Sequence, residues 1–543
     1  MTINKPNGRL IQKKIPFSKA LISIKKILTR NSFFFIGIFI ILVFIQIIHN
    51  IDLFKRDFVE LADFASNSIL VDDAKKLKLL HGHYSRIGFY HPGPAIFYFQ
   101  ALGEWLVYDI LSLAQSPFAG QAFGLFLYVA LLLSLSVYCL KLLLSEWQAV
   151  FFLSSLVLML NIFLYPTNFS SPWFPHLFAI TFLPFIISWI AVYLNKIRAL
   201  PIFSFCSMLL FHGHIAFSMF VGAAWTFILI NTINIIIANQ ISFRNYISMH
   251  SRILWLSFGI ILFGILPILL HTILHFPGEI LKYLTYSPDI SNHTWPKALK
   301  FVAFYWIHST KYPDTTEINF IIFFIFIFLI CTLISLIYLK ISLTCLKTNI
   351  IITSGLSRGI TLTTGIITAL TLFYARYKID NWSDHYTIIF YSSSILLIVS
   401  ILIARIILTF FEIKKLLKFS LIMTMIAIVT WPKYSVYSIE KTALKPFFQA
   451  IKSKAVTGPV EIEVDYSREP PSQAWIYIVA LLMNANREGI NNICVLESTW
   501  ALAYHERNKC NQSNKRQKLF IGLQSYAENK NVLATIDDIA LWE

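Results

Sequence analysis

The chain has 543 residues, of which 57% are hydrophobic and only 13% charged, and its mean hydropathy is +0.65. A soluble chain of this length exposes more charge, so the composition excludes an ordinary soluble enzyme and a disordered scaffold. The formal net charge of +17 raises nucleic acid as a partner, but basic residues also gather on the cytoplasmic side of helical membrane proteins.

Residues 1–31 hold eight basic side chains and no acid. Apolar runs long enough to cross a bilayer as helices follow at 32–50, 117–140, 147–165, 174–194, 200–216, 217–238, 253–274, 318–339, 359–375, 385–408 and 419–433. That makes 11 expected spans, the weakest being the pair interrupted by His212-Gly213-His214. With the N-terminus in the cytoplasm, and with Arg405 near the inner end of its span counted on that side, the cytoplasmic side sums to +18 and the outer segments to −1. The net charge is therefore a topology signal, N-in and C-out, and nucleic acid drops out as a partner. The first apolar run is too long for the core of a cleavable signal peptide, and no small-residue cleavage site follows it.

The expected organisation is a basic N-terminus (1–31), a transmembrane domain (32–433) and a soluble C-terminal domain (434–543). The outer face receives loop 51–116, loop 275–317, the short loop 376–384 and the C-terminal domain. In that domain Val460–Val464 alternates like a strand, Gln473–Arg487 reads as a helix ended near Gly489, and Asn492–Leu496 and Lys518–Leu523 read as further strands. The domain is expected to be a small α/β unit. Cys139, Cys206, Cys331 and Cys345 lie in or near the membrane and read as packing residues. Cys494 and Cys510 share the C-terminal domain, where a disulfide is an open alternative. No Cys-x-x-Cys metal pattern occurs.

Loop 51–116 carries most of the chemistry. Six acids precede Gly82: Asp52, Asp57, Glu60, Asp63, Asp72 and Asp73. A carboxylate held at the bilayer surface can take a proton from a sugar hydroxyl, and a carboxylate cluster can hold a divalent cation. Tyr84-Ser85-Arg86 follows, in which Arg86 offers a planar fork to a phosphate or carboxylate. His91-Pro92-Gly93-Pro94 is a stiff turn that fixes the direction of His91. An amphipathic run from Ala95 to Ile110 leads to the second span. Farther along, Arg376 and Lys378 follow the ninth span, and His385 and Tyr386 open the tenth. The two cations suit a lipid phosphate, and read equally as interfacial anchors. His212, His214 and His176 sit in apolar surroundings, where polar groups often mark a cavity.

The acidic first loop, the helix after it, the many spans and the C-terminal domain resemble the GT-C superfamily of membrane glycosyltransferases. More narrowly, the loop resembles a bacterial membrane family with the pattern Asp-x-Ala, a second Asp ten residues on, then Tyr-Ser-Arg-x-Gly-aromatic-x-His-Pro-Gly-Pro. Here the matching residues are Asp63, Ala65, Asp73, Tyr84, Ser85, Arg86, Gly88, Phe89, His91, Pro92, Gly93 and Pro94; where the pattern tends to carry Glu, this chain has Ser68. The resemblance implies an enzyme of the bacterial inner membrane that moves a hexose or pentose from a polyprenyl-phosphate carrier to an envelope glycan, lipid or protein. It points to Asp63 as the base, with Asp73 or Asp72 second.

A transporter or flippase of lipid-linked saccharides is the first alternative. It would more usually show ionisable residues inside spans and a repeated half; no acid falls inside a span and no repeat is found. A polymerase or ligase of lipid-linked saccharides is the second, and the acidic first loop argues against it. A non-catalytic assembly protein is the last.

Overall fold

The computed structural model describes residues 17–85, 88–144, 146–286, 294–307, 354–379, 385–410, 413–464, 474–496, 503–505, 508–510, 516–528 and 530–543. The expected span at 318–339 and residues Arg86, Cys331 and Cys345 lie outside them. Seven described helices are long and apolar enough to cross a membrane, and two shorter apolar ones accompany them. The chain is a multi-pass α-helical membrane protein with a small C-terminal sheet.

The bundle is formed by α1 (Phe17–His49), α5 (Pro117–Leu143), α6 (Trp147–Leu164), α8 (Phe174–Tyr193), α9 (Leu200–Gly213), α10 (Phe217–Ala238), α11 (Phe243–Leu274), α14 (Ser354–Tyr377) and α15 (Ser392–Phe410), with α16 (Ile413–Val429) packed on α6. Helix α8 is the hub: 89% of its most apolar stretch is buried, and it packs on α5, α9, α14 and α15. Helices α10 and α11 stand at the edge, with only 22% and 11% buried. Their exposed Leu, Ile and Phe side chains are what a lipid-facing surface requires.

The hydropathy pattern marks where the helices lie but not their ends. Helix α11 starts ten residues before its apolar run, and α16 begins within the basic stretch at Ile413. The expected span at 385–408 is not one helix. His385–Tyr391 forms a 3₁₀ segment, and α15 begins only at Ser392.

Loop 51–116 is largely ordered structure. It contains α2 (Ile51–Lys55), β1 (Phe58–Glu60), α3 (Ala62–Lys75) and α4 (Ala95–Glu104), which continues as a π-turn over Trp105–Ile110. Helix α4 lies tightly against α5, because Gly103 meets Gly120 and Gly124 there. A Cβ on Gly124 would stand 2.0 Å from the Phe99 carbonyl oxygen, so only glycine permits this crossing. Three further short helices are α7 (Thr167–Ser170), α12 (Gly278–Thr285) and α13 (Trp295–Ile307).

After α16 the chain enters β2 (Ser438–Glu440), α17 (Lys441–Thr457), β3 (Val460–Val464), α18 (Ala474–Arg487), β4 (Ile493–Leu496), β5 (Gln517–Leu523), β6 (Val532–Ile536) and β7 (Ile539–Trp542). The five-stranded sheet runs β4-β3-β5-β7-β6, with β3 parallel to β4 and β5 and the others antiparallel. Cys494 and Cys510 form a disulfide with Cα atoms 5.0 Å apart.

The C-terminal domain and the first loop share one core. Strand β2 pairs antiparallel with β1, Phe58 opposite Glu440. Val59, Leu61, Ala65 and Ile69 pack with Phe447, Ile478 and Leu482. Glu60 is fully buried, and its Oε1 is 3.1 Å from Arg487 Nη2 on α18. The same guanidinium lies 3.9 Å from Asp72 on α3. A buried carboxylate left without its cation is strongly destabilising, whereas an exposed pair contributes little. Arg487→Met should therefore lower stability by about 3–5 kcal/mol and expose the C-terminal domain to protease. Arg56→Met, which breaks the exposed pair with Glu440, should cost under ~1 kcal/mol. Thermal unfolding and limited proteolysis in detergent measure both, and equal losses would refute this account.

Candidate active site

Helix α3 presents Asp63 one turn before Asn67, so both face the same way. Both line a cavity of about 400 Å³ at the end of the bundle. Five other segments complete its wall: residues 83–91, the start of α8, the α9–α10 junction, the end of α12, and the end of α14 with the 3₁₀ segment. Its lining is mainly aromatic and aliphatic with a few polar groups, the usual make-up of a small-ligand site.

The Asp63 carboxylate is held from two sides. Tyr84 Oη donates to Oδ1, and the Trp173 indole N–H donates to Oδ2 at 3.2 Å. Each carboxylate oxygen has a further lone pair, so the group can still accept a proton from the cavity. Trp173 in turn packs on Tyr386, with ring centroids 4.5 Å apart. Of the other candidate bases, Asp72 faces Arg487, and neither Asp72 nor Asp73 lines the cavity. The reason is helical spacing: nine and ten residues beyond Asp63, they follow α3 toward its far end.

Tyr84 and Ser85 belong to a small hairpin. His91 N donates to His83 O at 2.8 Å, and Ser85 N to Phe89 O at 2.7 Å. Gly88 has φ +88°, the left-handed conformation that favours glycine in such a turn. Helix α12 latches the hairpin, since Tyr283 Oη donates to the Tyr90 carbonyl and Tyr90 N donates to Glu279.

Both His-Gly-His triplets, His81-Gly82-His83 and His212-Gly213-His214, bond to the His-Pro-Gly-Pro turn. Gly82 N donates to His91 O, and Gly93 N donates to His212 O. A Cβ on Gly93 would lie 2.3 Å from the His212 ring, so the close approach requires glycine. His212 bonds the Gly264 carbonyl at 2.6 Å and His176 lies 3.4 Å from Asn168; neither lines the cavity. His214 does line it, together with His83 and His91. The ring centroids stand 4.2 Å apart for His83–His91, 4.1 Å for His91–His214 and 6.5 Å for His83–His214. Burial, and then the neighbouring His214, push His83 and His91 well below the ordinary imidazole value; burial pushes His214 down to about 4.

Of the two expected phosphate-binding cations, Lys378 lines the cavity and Arg376 does not. The Arg376 Nε and Nη1 are buried without a hydrogen-bond partner among the described residues, and its guanidinium lies 4.9 Å from the Tyr377 ring. Tyr386 lines the wall, and His385 begins the 3₁₀ segment. Among the described residues, no three His, Cys, Asp or Glu side chains are grouped as a metal site requires. Asn67, Trp173, Tyr283, Tyr286, Phe373 and Tyr374 also line the cavity. Trp173 opens the stretch Trp173-Phe174-Pro175-His176, of which the sequence marks only His176; the others have no sequence signal.

No family model matches the chain, and no curated protein matches it. Among solved structures it is similar to ArnT from Cupriavidus metallidurans bound to undecaprenyl phosphate, with a TM-score of 0.48 and 10% identity over 95% of this chain and 98% of that one.

The imidazoles give a pH dependence with a definite sign. His83 and His91 are held neutral in the fold, while an unfolded chain protonates them below about pH 6.5. The unfolded state then binds more protons, so stability is lost as pH falls through that value, by up to about 1.4 kcal/mol per unit for each group. The thermal midpoint should drop between pH 7 and 5, and less steeply in His83→Phe. An unchanged slope in that variant would contradict the assignment.

Proposed function

We propose that the cavity is the catalytic site of a GT-C-like glycosyltransferase that uses a polyprenyl-phosphate-linked sugar. The observation that carries this reading is that Asp63 and Lys378 line one cavity, a carboxylate and an ammonium contributed by segments more than three hundred residues apart. The first-loop pattern supports it independently. The charge segregation favours the outer face of a bacterial inner membrane, with residues 434–543 on that side. The acceptor is an envelope glycan, lipid or protein.

The acceptor oxygen attacks the anomeric carbon as the bond from that carbon to the phosphate oxygen breaks. The acceptor proton passes to the Asp63 carboxylate, and the bonding pair leaves with the lipid phosphate. Lys378 offsets the charge that grows on the phosphate. Tyr84 and Trp173 hold the carboxylate at the place where the proton is released. The buried aromatic wall keeps water from intercepting the sugar.

The test follows the release of free polyprenyl phosphate from its glycosylated form in membranes. Asp63→Asn should reduce release by about 10²–10⁴-fold with normal expression. Lys378→Ala should weaken donor use, whereas Asp73→Asn should leave release within a few-fold of wild type. Unchanged release in Asp63→Asn would overturn the proposal.

A further inference from the structure

Resting on that reading, we infer that His83, His91 and His214 form a subsite for the uncharged hydroxyls of the transferred sugar, apart from the phosphate end of the cavity. The three imidazoles come from both His-Gly-His triplets and the His-Pro-Gly-Pro turn, and all three line the same cavity as Asp63 and Lys378. They form a continuous layer, in which the His83 ring stacks on Phe174 at 4.5 Å and His91 lies between His83 and His214.

Their hydrogen bonds decide what this layer offers. His91 Nδ1 accepts from Ile215 N at 3.4 Å, and His214 Nδ1 accepts from Ala216 N at 3.1 Å. In a neutral imidazole, an Nδ1 that accepts leaves Nε2 as the donor. Neither Nε2 has a hydrogen-bond partner among the described residues, and neither is a buried orphan. Each is left to bond whatever occupies the cavity. A second cation in the layer is opposed by the closeness of the three rings and by their removal from water.

An anion would find no charge there to bind. A metal would need its ligand nitrogens unprotonated, and the Nδ1 atoms of two of the three rings are already engaged. A neutral ligand rich in hydroxyls fits both properties. Its oxygens accept from the Nε2–H groups, and its apolar face lies on Phe174, Phe178 and Trp173, which line the same wall. The cavity then has two poles. Lys378 takes the phosphate that every carrier lipid shares, and the imidazole layer takes the sugar that distinguishes a charged donor from a spent carrier.

Native mass spectrometry of the detergent-solubilised full chain separates the two poles, using three probes: polyprenyl phosphate alone, and the same lipid carrying a hexose or a pentose. Wild type should bind at least one glycosylated lipid more tightly than the bare phosphate. His91→Phe and His214→Phe keep the ring and the stack but remove the donor. Each should weaken the glycosylated lipid roughly tenfold, the loss of about one hydrogen bond, and leave the bare phosphate within twofold. His91→Gln, which retains a donor, should recover part of that loss. Lys378→Ala should weaken all three probes together. If the two Phe variants bind every probe as wild type does, or lose bare and glycosylated lipid equally, the sugar subsite is overturned while the phosphate site stands. If wild type binds none of the probes, the glycosyltransferase reading falls and takes the subsite with it.

Discussion

Helix α3 is the element on which the site depends, and it is an unfavourable thing to bury. It is polar, it carries three acids, and it lies between the helical bundle and the C-terminal sheet domain. Charge pairing on both flanks holds it there. On the domain side, Arg487 joins Glu60, just before the helix, to Asp72 near its end. On the bundle side, Lys75 bonds Glu104 and Asp109 at 2.7 and 2.6 Å. Glu104 then accepts from Gln121, whose carbonyl accepts from Ser68. A buried charge is tolerated when it is paired and its remaining lone pairs are filled. Glu60 and Asp72 are therefore structural partners of Arg487, although Glu60 Oε2 has no hydrogen-bond partner among the described residues, and Asp63 is the acid of α3 that lines the cavity. The C-terminal domain belongs to the site's framework, since removing it would strand Glu60 and uncover Val59, Leu61 and Ile69.

The same logic sets the wall opposite α3. The hairpin, the His-Pro-Gly-Pro turn and the α9–α10 junction meet through backbone hydrogen bonds at glycines, where side chains would keep them apart. Backbone contacts of this kind are rigid because neither partner has rotamers to lose. Tyr84 and His91 project from that rigid strip, so the carboxylate and the imidazole layer are fixed relative to one another before any ligand arrives. In the proposed reading, such preorganisation is what a carboxylate needs to act on a neutral hydroxyl without first reordering its surroundings.

Much of this was legible in the sequence, and the rest was hidden for physical reasons. The spans show because about twenty apolar residues are needed to cross a bilayer. Strand β3 shows because Val and Ile alternate with Glu, and β4 and β5 show as short apolar runs. Strands β1 and β2 do not, because three residues are too few to display a period, and their pairing joins positions 58 and 440. The β6–β7 hairpin turns on Asp537-Asp538, a weaker signal than Asp-Gly. Asp63 stands out through a pattern of spacing, and Tyr84 through the same pattern. The link between them does not stand out, since a hydrogen bond across twenty-one residues, from the start of α3 to the loop beyond it, leaves no periodicity. Arg487 reads as the last residue of an amphipathic helix, and only the fold reveals that its partner is buried 427 positions away.

The distribution of charge around the cavity constrains its ligand further. Among the described residues, Asp63 and Lys378 are the carboxylate and the ammonium that line it, the imidazoles are neutral, and the rest is mostly apolar or aromatic with a few polar side chains such as Asn67 and Ser218. A small ion drawn from bulk water would have to overcome its own desolvation to enter. A lipid-linked donor avoids that difficulty in the proposed reading. Its chain partitions into the bilayer, so the phosphate reaches Lys378 with little loss of freedom beyond what membrane insertion has already taken. In that reading Lys378 supplies only part of the affinity, because the membrane supplies the rest. The polar groups of the wall are free to discriminate the sugar.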